Sequence, residues 1–298
     1  METLTQVGII GAGEFGHALG GALTRAHMQV LYFDRDPKRS TTGSIEDLTR
    51  SCQVLIVCTP SWAVKDICKQ LARAAHPNEP RLVITAAKGV EAGFVTMDQL
   101  LRDKLPKNYD TGLLYGPMIA AEIDRNRPAY GILALSRNTW FANLRNELAA
   151  ANIGVQASGD IHGVALCGVL KNVYAIGCGL VDGLTLGVNI KSKFATLVLA
   201  ELKRILADSH CDPATAEGIA GLGDLLATGF GEESFNYRVG KSLAERIASE
   251  HLKSEGLVTL HEFGKHSNLK KYPLIAAIDS IVFHYAEPET LMTFIAGQ

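Results

Sequence analysis

The sequence predicts an α/β fold in two parts: an N-terminal Rossmann domain, built as a doubly wound parallel sheet, and an all-helical C-terminal domain. Three observations carry this. A strand–helix–strand pattern opens the chain around Gly11, Gly13 and Gly16; near-continuous apolar runs then alternate with amphipathic helix patterns as far as Ala157; and beyond Asp160 the strand signals stop. The boundary is placed at residue 158, giving domains of 1–158 and 159–298.

Composition narrows the class further. With 298 residues and 47% hydrophobic content the chain can bury a sizeable core. Its net charge is −2, without a basic block or an acidic tail, so nucleic acid and anionic membrane surfaces are poor partners and a small molecule is the expected one. The cysteines, Cys52, Cys58, Cys68, Cys167, Cys178 and Cys211, show neither CxxC nor His/Cys metal spacing. They read as reduced packing residues of a cytoplasmic protein, and no metal site is expected. The opening METLTQ runs into a strand without a signal-sequence pattern. The most apolar stretch, from Val164 to Gly183, is interrupted by Lys171, Asn172 and Asp182, so no membrane span is expected.

In chain order, Val7, Ile9 and Ile10 form the first strand, and GAGEFG follows it with Gly11, Gly13, Glu14, Phe15 and Gly16. Gly11 suits the tight turn, Gly13 the close approach of a pyrophosphate, and Gly16 the packing of helix on strand, with the anion at the helix N-terminus. A second strand, Val30 to Phe33, ends at Asp34, whose carboxylate can accept from a ribose 2′-OH and so favours NAD. Arg35, Lys38 and Arg39 follow it. They form an ordinary solvated loop or, in the other reading, receive the 2′-phosphate of NADP. The strand VLIVCTP ends at Thr59, Pro60 and Ser61, and RLVITAAKG ends at Lys88. In a parallel sheet these carboxyl ends face the ligand, so Lys88 can meet an anion or a polar substrate group. Strands at Tyr130 to Ser136 and Ile153 to Ala157 complete the sheet.

Asp160 can cap a helix beginning near Ile161. On that helix Gly168, Lys171, Asn172, Ala175 and Gly179 fall near one face, so Lys171 sits among residues too small to cover it. A lysine in apolar surroundings loses hydration and becomes a proton donor near neutrality; alternatively it snorkels to the surface. Downstream, a glycine-rich segment rises to Asp224, and Thr228 is four residues on, sharing its face on a helix. Phe194 to Asp208 reads as an amphipathic helix.

The ordered set GAGEFG, TPS, AAKG, GPMIAAE, LKNVYAIGCGLVDGLTLGVN, GLGDLLAT and S-F-N resembles the NAD(P)-dependent glycerol-3-phosphate dehydrogenases over nearly the whole chain. The resemblance implies a nicotinamide cofactor on the first domain and dihydroxyacetone phosphate or sn-glycerol 3-phosphate on the second. It makes Lys171 the proton donor and acceptor, with Asp224 and Lys88 assisting, and Lys88, Asn172, Asp224, Thr228, Ser234 and Asn236 the substrate contacts. It adds Arg35, Pro60, Lys88, Ala120 and Glu255 to the cofactor contacts, with Gly116 and Met118 near the nicotinamide, and implies a homodimer. The chain departs from the family at Phe235, which stands where the S-R-N motif has its phosphate-binding arginine. Two other readings therefore stay open: a related dehydrogenase for a non-phosphorylated hydroxy-ketone or keto acid, and a non-catalytic nucleotide sensor.

Overall fold

The computed structural model describes residues 6–75, 79, 81–231, 234–247 and 254–297. The chain runs β1 (Gln6–Ile10), α1 (Glu14–Arg25), β2 (Gln29–Phe33), α2 (Ile45–Ser51), β3 (Val54–Val57), α3 (Ser61–Arg73) and β4 (Arg81–Thr85). A hairpin of β5 (Val90–Glu91) and β6 (Val95–Thr96) follows, then α4 (Met97–Lys104), β7 (Tyr109–Tyr115), α5 (Ala120–Asp124), β8 (Ala129–Leu135), α6 (Phe141–Ala150) and β9 (Ile153–Ser158). The remainder is helical: α7 (Ile161–Gly183), α8 (Gly187–Asp208), α9 (Asp224–Gly229), α10 (Phe235–Ala244), α11 (Glu255–His266), α12 (Pro273–His284) and α13 (Glu289–Gly297).

Two compact units result, 1–88 with 97–165 and 89–96 with 166–298. In the first, seven strands form one sheet in the order β2-β1-β3-β4-β7-β8-β9. Every neighbouring pair is parallel except β7 and β8, which are antiparallel, with Gly112 opposite Leu135 and Tyr115 opposite Ile132. The sheet is thus mixed rather than wholly parallel. The connection between β7 and β8 is residues 116–128, near the minimum length of a parallel crossover and holding only the five-residue helix α5. The chain turns back instead, and α5 lies on α1, where Arg25 donates to the carbonyl of Ile123 at 2.9 Å. Val54, Leu55, Ile56 and Val57 are all buried, as a strand covered on both faces requires.

The sequence pattern draws one boundary at 158 and does not see the excursion of 89–96. Two strands of two residues each carry no readable periodicity. Tertiary contacts decide it: Val90 joins the helical core, the ring of Phe94 lies 5.1 Å from that of Phe263, and the Gly93 N–H donates to the Glu262 carboxylate at 2.8 Å. The first unit in turn extends to Ala165, taking in the start of α7, where Asp160 accepts from the Gly163 N–H at 3.1 Å.

In the second unit α7 is the central helix. A side chain at Gly177 would strike Phe194 of α8 and Ile278 of α12, and one at Gly179 would strike the Tyr237 carbonyl of α10. The small-residue stripe of α7 is used for helix packing within the chain. The 23-residue α7 holds an 18-residue window of mean hydropathy 1.7, enough to cross a membrane by length and composition alone, and that window is buried inside the protein. Each interruption is partnered: Lys171 with Asp224, Asn172 with Asn236, and Asp182 with Lys191 and Tyr237. These pairings let polar groups stand in a core that would otherwise reject them.

Glu201 of α8 is a second buried carboxylate. It accepts from the N–H groups of Leu274 and Ile275 at 2.7 and 2.9 Å, capping α12, and from the Tyr174 hydroxyl at 3.2 Å. Burial nevertheless outweighs these bonds and raises its pKa above the ordinary 4.5. A carboxyl with a raised folded-state pKa contributes stability that is complete below 4.5 and is lost as pH rises through the folded value. In urea titrations, the stability advantage of the wild type over Glu201→Gln should therefore shrink as pH rises above 4.5. A gap that widens would mean that the capping bonds to the charged form dominate.

Candidate active site

In the first unit the loop between β1 and α1 has the geometry its glycines suggest. Gly11 has φ +97°, and a Cβ there would lie 2.7 Å from Thr59 Cγ2; at Gly16 a Cβ would lie 1.9 Å from the Gly11 carbonyl oxygen. Above Gly13 a Cβ would meet nothing within 4 Å. No side chain caps the N-terminus of α1, so its leading N–H groups are presented as an anion cradle requires. Glu14 and Phe15 form the first turn of that helix. Asp34 accepts from the Ala12 N–H at 2.7 Å and the Asp36 N–H at 2.9 Å, so its carboxylate is fixed against the loop. A cavity of about 370 Å³ opens beside it, lined by Gly11, Gly13, Asp34, Arg35 and Pro60. A second cavity, of about 750 Å³, shares Gly13 and is lined by Glu14, His17, Lys38, Arg39 and Ala120. These residues fit a dinucleotide: open space over Gly13, an uncapped helix start and a carboxylate at the end of β2.

Lys88 stands in the same unit, where its ammonium donates to the Gly116 carbonyl at 3.0 Å and lies 5.6 Å from the centre of the Tyr115 ring. Thr59 Oγ1 is buried without a hydrogen-bond partner at the end of β3. Burial pushes the thiols of Cys58 and Cys68 up to about 12, which leaves them unreactive near neutrality.

The second unit gathers the other group. Lys171 is 5% exposed and does not snorkel. Its Nζ donates to Asp224 Oδ1 at 2.8 Å and to Thr228 Oγ1 at 3.2 Å, while the Thr228 hydroxyl donates back to the Asp224 carbonyl at 2.7 Å. Asp224 is 1% exposed and begins α9, directly after a π-helical turn at Ile219–Gly223. Wide turns of this kind recur at functional sites. One residue along α7, Asn172 accepts from Asn236 Nδ2 at 3.1 Å, and Asn236 Oδ1 accepts from the Gly256 N–H at 3.0 Å. Any Cβ on Gly256 would lie 2.6 Å from the Asn172 carbonyl, so a glycine is required where α11 meets α7. Glu255, placed among the cofactor contacts by resemblance, begins α11 beside this network. The Ser234 hydroxyl is engaged locally as the N-cap of α10.

The structure thus brings Lys171, Asp224 and Thr228 together, and joins Asn172 to Asn236. The Asn236–Gly256 link is not legible in the sequence because it closes between segments twenty residues apart; the S-E-G run, whose Ser254 caps α11, is its local sign. Phe235 is 39% exposed at the start of α10, and the Arg238 guanidinium lies 5.5 Å over its ring, a cation one helical turn further on. His162 Nδ1 lies 3.0 Å from Asp98 Oδ2.

A glycine-loop Rossmann unit, followed by a helical unit built around a buried lysine–carboxylate pair, defines a nicotinamide-dependent dehydrogenase of the two-domain class. Residues 40–141 match the family described as NAD-dependent glycerol-3-phosphate dehydrogenase N-terminus, and residues 160–293 match the corresponding C-terminus. Glycerol-3-phosphate dehydrogenase [NAD(P)+] of Pseudomonas savastanoi pv. phaseolicola is 30% identical over 340 aligned positions, covering 99% of this chain and 98% of that protein. The crystal structure of glycerol-3-phosphate dehydrogenase from Coxiella burnetii superposes with a TM-score of 0.87 at 22% identity, covering 99% of both chains. That from Saccharomyces cerevisiae gives 0.81 at 20% identity over 97% of this chain and 99% of its own. The chain belongs to the NAD-dependent glycerol-3-phosphate dehydrogenase family.

Proposed function

We propose that the protein interconverts dihydroxyacetone phosphate and sn-glycerol 3-phosphate, with Lys171 as general acid and base. The observation that carries this is the buried Lys171–Asp224–Thr228 cluster in a chain of this family. When bound, the nicotinamide cofactor supplies or takes the hydride. In the reducing direction Lys171 Nζ delivers a proton to the carbonyl oxygen as the carbon is reduced; in the reverse direction it receives the alcohol proton. Asp224 and Thr228 fix the direction of the ammonium, so its proton is aimed before substrate arrives. Asn172, held by Asn236, is a polar contact for substrate oxygens, and Lys88 supplies a second cation.

The glycine loop and the α1 N-terminus receive the pyrophosphate, with Pro60, Ala120 and Glu255 as further cofactor contacts. Asp34, already tied to two backbone N–H groups, receives the ribose hydroxyls and favours NAD over NADP. The main division of labour follows the two domains, 1–158 for the cofactor and 159–298 for substrate and catalysis, with Lys88 and Glu255 as the exceptions. A cytoplasmic homodimer is the assembly we assign by family, with a solution mass twice 32.0 kDa.

Steady-state oxidation of NADH and NADPH with dihydroxyacetone phosphate, on a preparation sized by light scattering, tests these assignments together. Brisk turnover with NADH on a dimer is expected. Phe235 favours a second reading, in which an apolar wall takes a non-phosphorylated carbonyl compound. If the wild type is inactive on the phosphate ester and Phe235→Arg creates that activity, the second reading replaces the first.

A further inference from the structure

We propose that Trp62 is the stacking platform for the purine ring of the dinucleotide, a contact that the glycine fingerprint does not specify. The inference rests on the dinucleotide reading above and goes beyond it. Trp62 is the second residue of α3 and is 69% exposed. Tryptophan carries one of the largest apolar surfaces of any side chain and is highly buried on average, so a ring left this open calls for an occupant. The other tryptophan, Trp140, is half-buried, and its Nε1 donates to Asp110 at 2.7 Å.

The place of Trp62 identifies the occupant. It lines the cavity of about 370 Å³ that also holds Gly11, Gly13, Asp34 and Arg35. Gly13 marks where a pyrophosphate passes and Asp34 where a ribose presents its hydroxyls, so what lies next along the ligand is the base attached to that ribose. Phe33 and Ile45 give the same cavity an apolar lining suited to a flat heteroaromatic ring. Stacking on an indole face needs no particular hydrogen-bonding edge and recovers the exposed apolar area of both rings.

Calorimetric titration of the full chain with NADH, 5′-AMP and nicotinamide mononucleotide tests this. Trp62→Ala should weaken NADH and 5′-AMP by about 5- to 150-fold, the range expected of one base–aromatic stack, and leave nicotinamide mononucleotide unchanged. Trp62→Phe should keep most of the affinity. It should also lose the quenching of tryptophan emission that 5′-AMP produces in the wild type, since only Trp140 then remains. Trp62 is exposed and outside the core, so its replacement leaves the packing intact, and circular dichroism of each variant checks this. Unchanged affinity of Trp62→Ala for NADH overturns the proposal, as does equal weakening of both mononucleotides. A wild type that binds neither NADH nor 5′-AMP is a separate failure, that of the dinucleotide reading itself.

Discussion

Lys171→Ala is expected to lower turnover by about 10²- to 10⁴-fold, the contribution usual for a positioned acid or base, while the affinity for NADH stays close to that of the wild type. The expectation follows from where the lysine is held. It belongs to the helical unit with Asp224 and Thr228, and the glycine loop and Asp34 belong to the other unit. Removing the ammonium also leaves the Asp224 carboxylate, 1% exposed, without its cation, and breaking a buried pair from one side typically costs about 3–5 kcal/mol. The double variant Lys171→Ala, Asp224→Asn removes that charge and separates the two effects. If it is stable, binds NADH and remains inactive, the chemical role stands. Parallel loss of NADH affinity and turnover in a folded variant would assign Lys171 to binding instead.

Gly240→Val should prevent the helical unit from folding, with a loss of about 4 kcal/mol or more, in the range that only a named structural lesion produces. A Cβ at Gly240 would lie 1.8 Å from the Ile176 carbonyl oxygen and 2.9 Å from the Leu180 nitrogen, both backbone atoms of α7. No rotamer change can relieve a clash with backbone, so α10 would have to move off the central helix. Gly13→Ala is the matching control, because a Cβ there meets nothing within 4 Å and φ is an ordinary −70°. Urea unfolding should show a near-normal midpoint for Gly13→Ala and none, or a much reduced one, for Gly240→Val. A loss below about 1 kcal/mol at Gly240 would mean that α7 and α10 pack less closely than described.

Much of the architecture was legible because it is written in local pattern. Apolar runs of the β3 kind announce a covered strand, and the spacing of Gly11, Gly13 and Gly16 announces a turn into a helix. Features set by sequence-distant contact were not legible. The antiparallel direction of β8 goes with the packing of α5 on α1, a contact between segments about a hundred residues apart. The assignment of 89–96 to the helical unit depends on Val90, Phe94 and Gly93 finding partners more than seventy residues away. At the site, the helical spacing of Asp224 and Thr228 placed both on one face, but the spacing is silent about which residue that face meets.

The stretch of α7 around Lys171 shows the division most clearly. The sequence by itself determined that a long apolar helix carries one lysine among small residues, because composition and period need no tertiary information. It left two outcomes for that lysine, at the surface or in the core. Tertiary structure decided between them by bringing Asp224, fifty-three positions away, within 2.8 Å. A charge that can reach neither water nor a partner is too costly to bury, so only the approach of α9 makes the core a stable place for it.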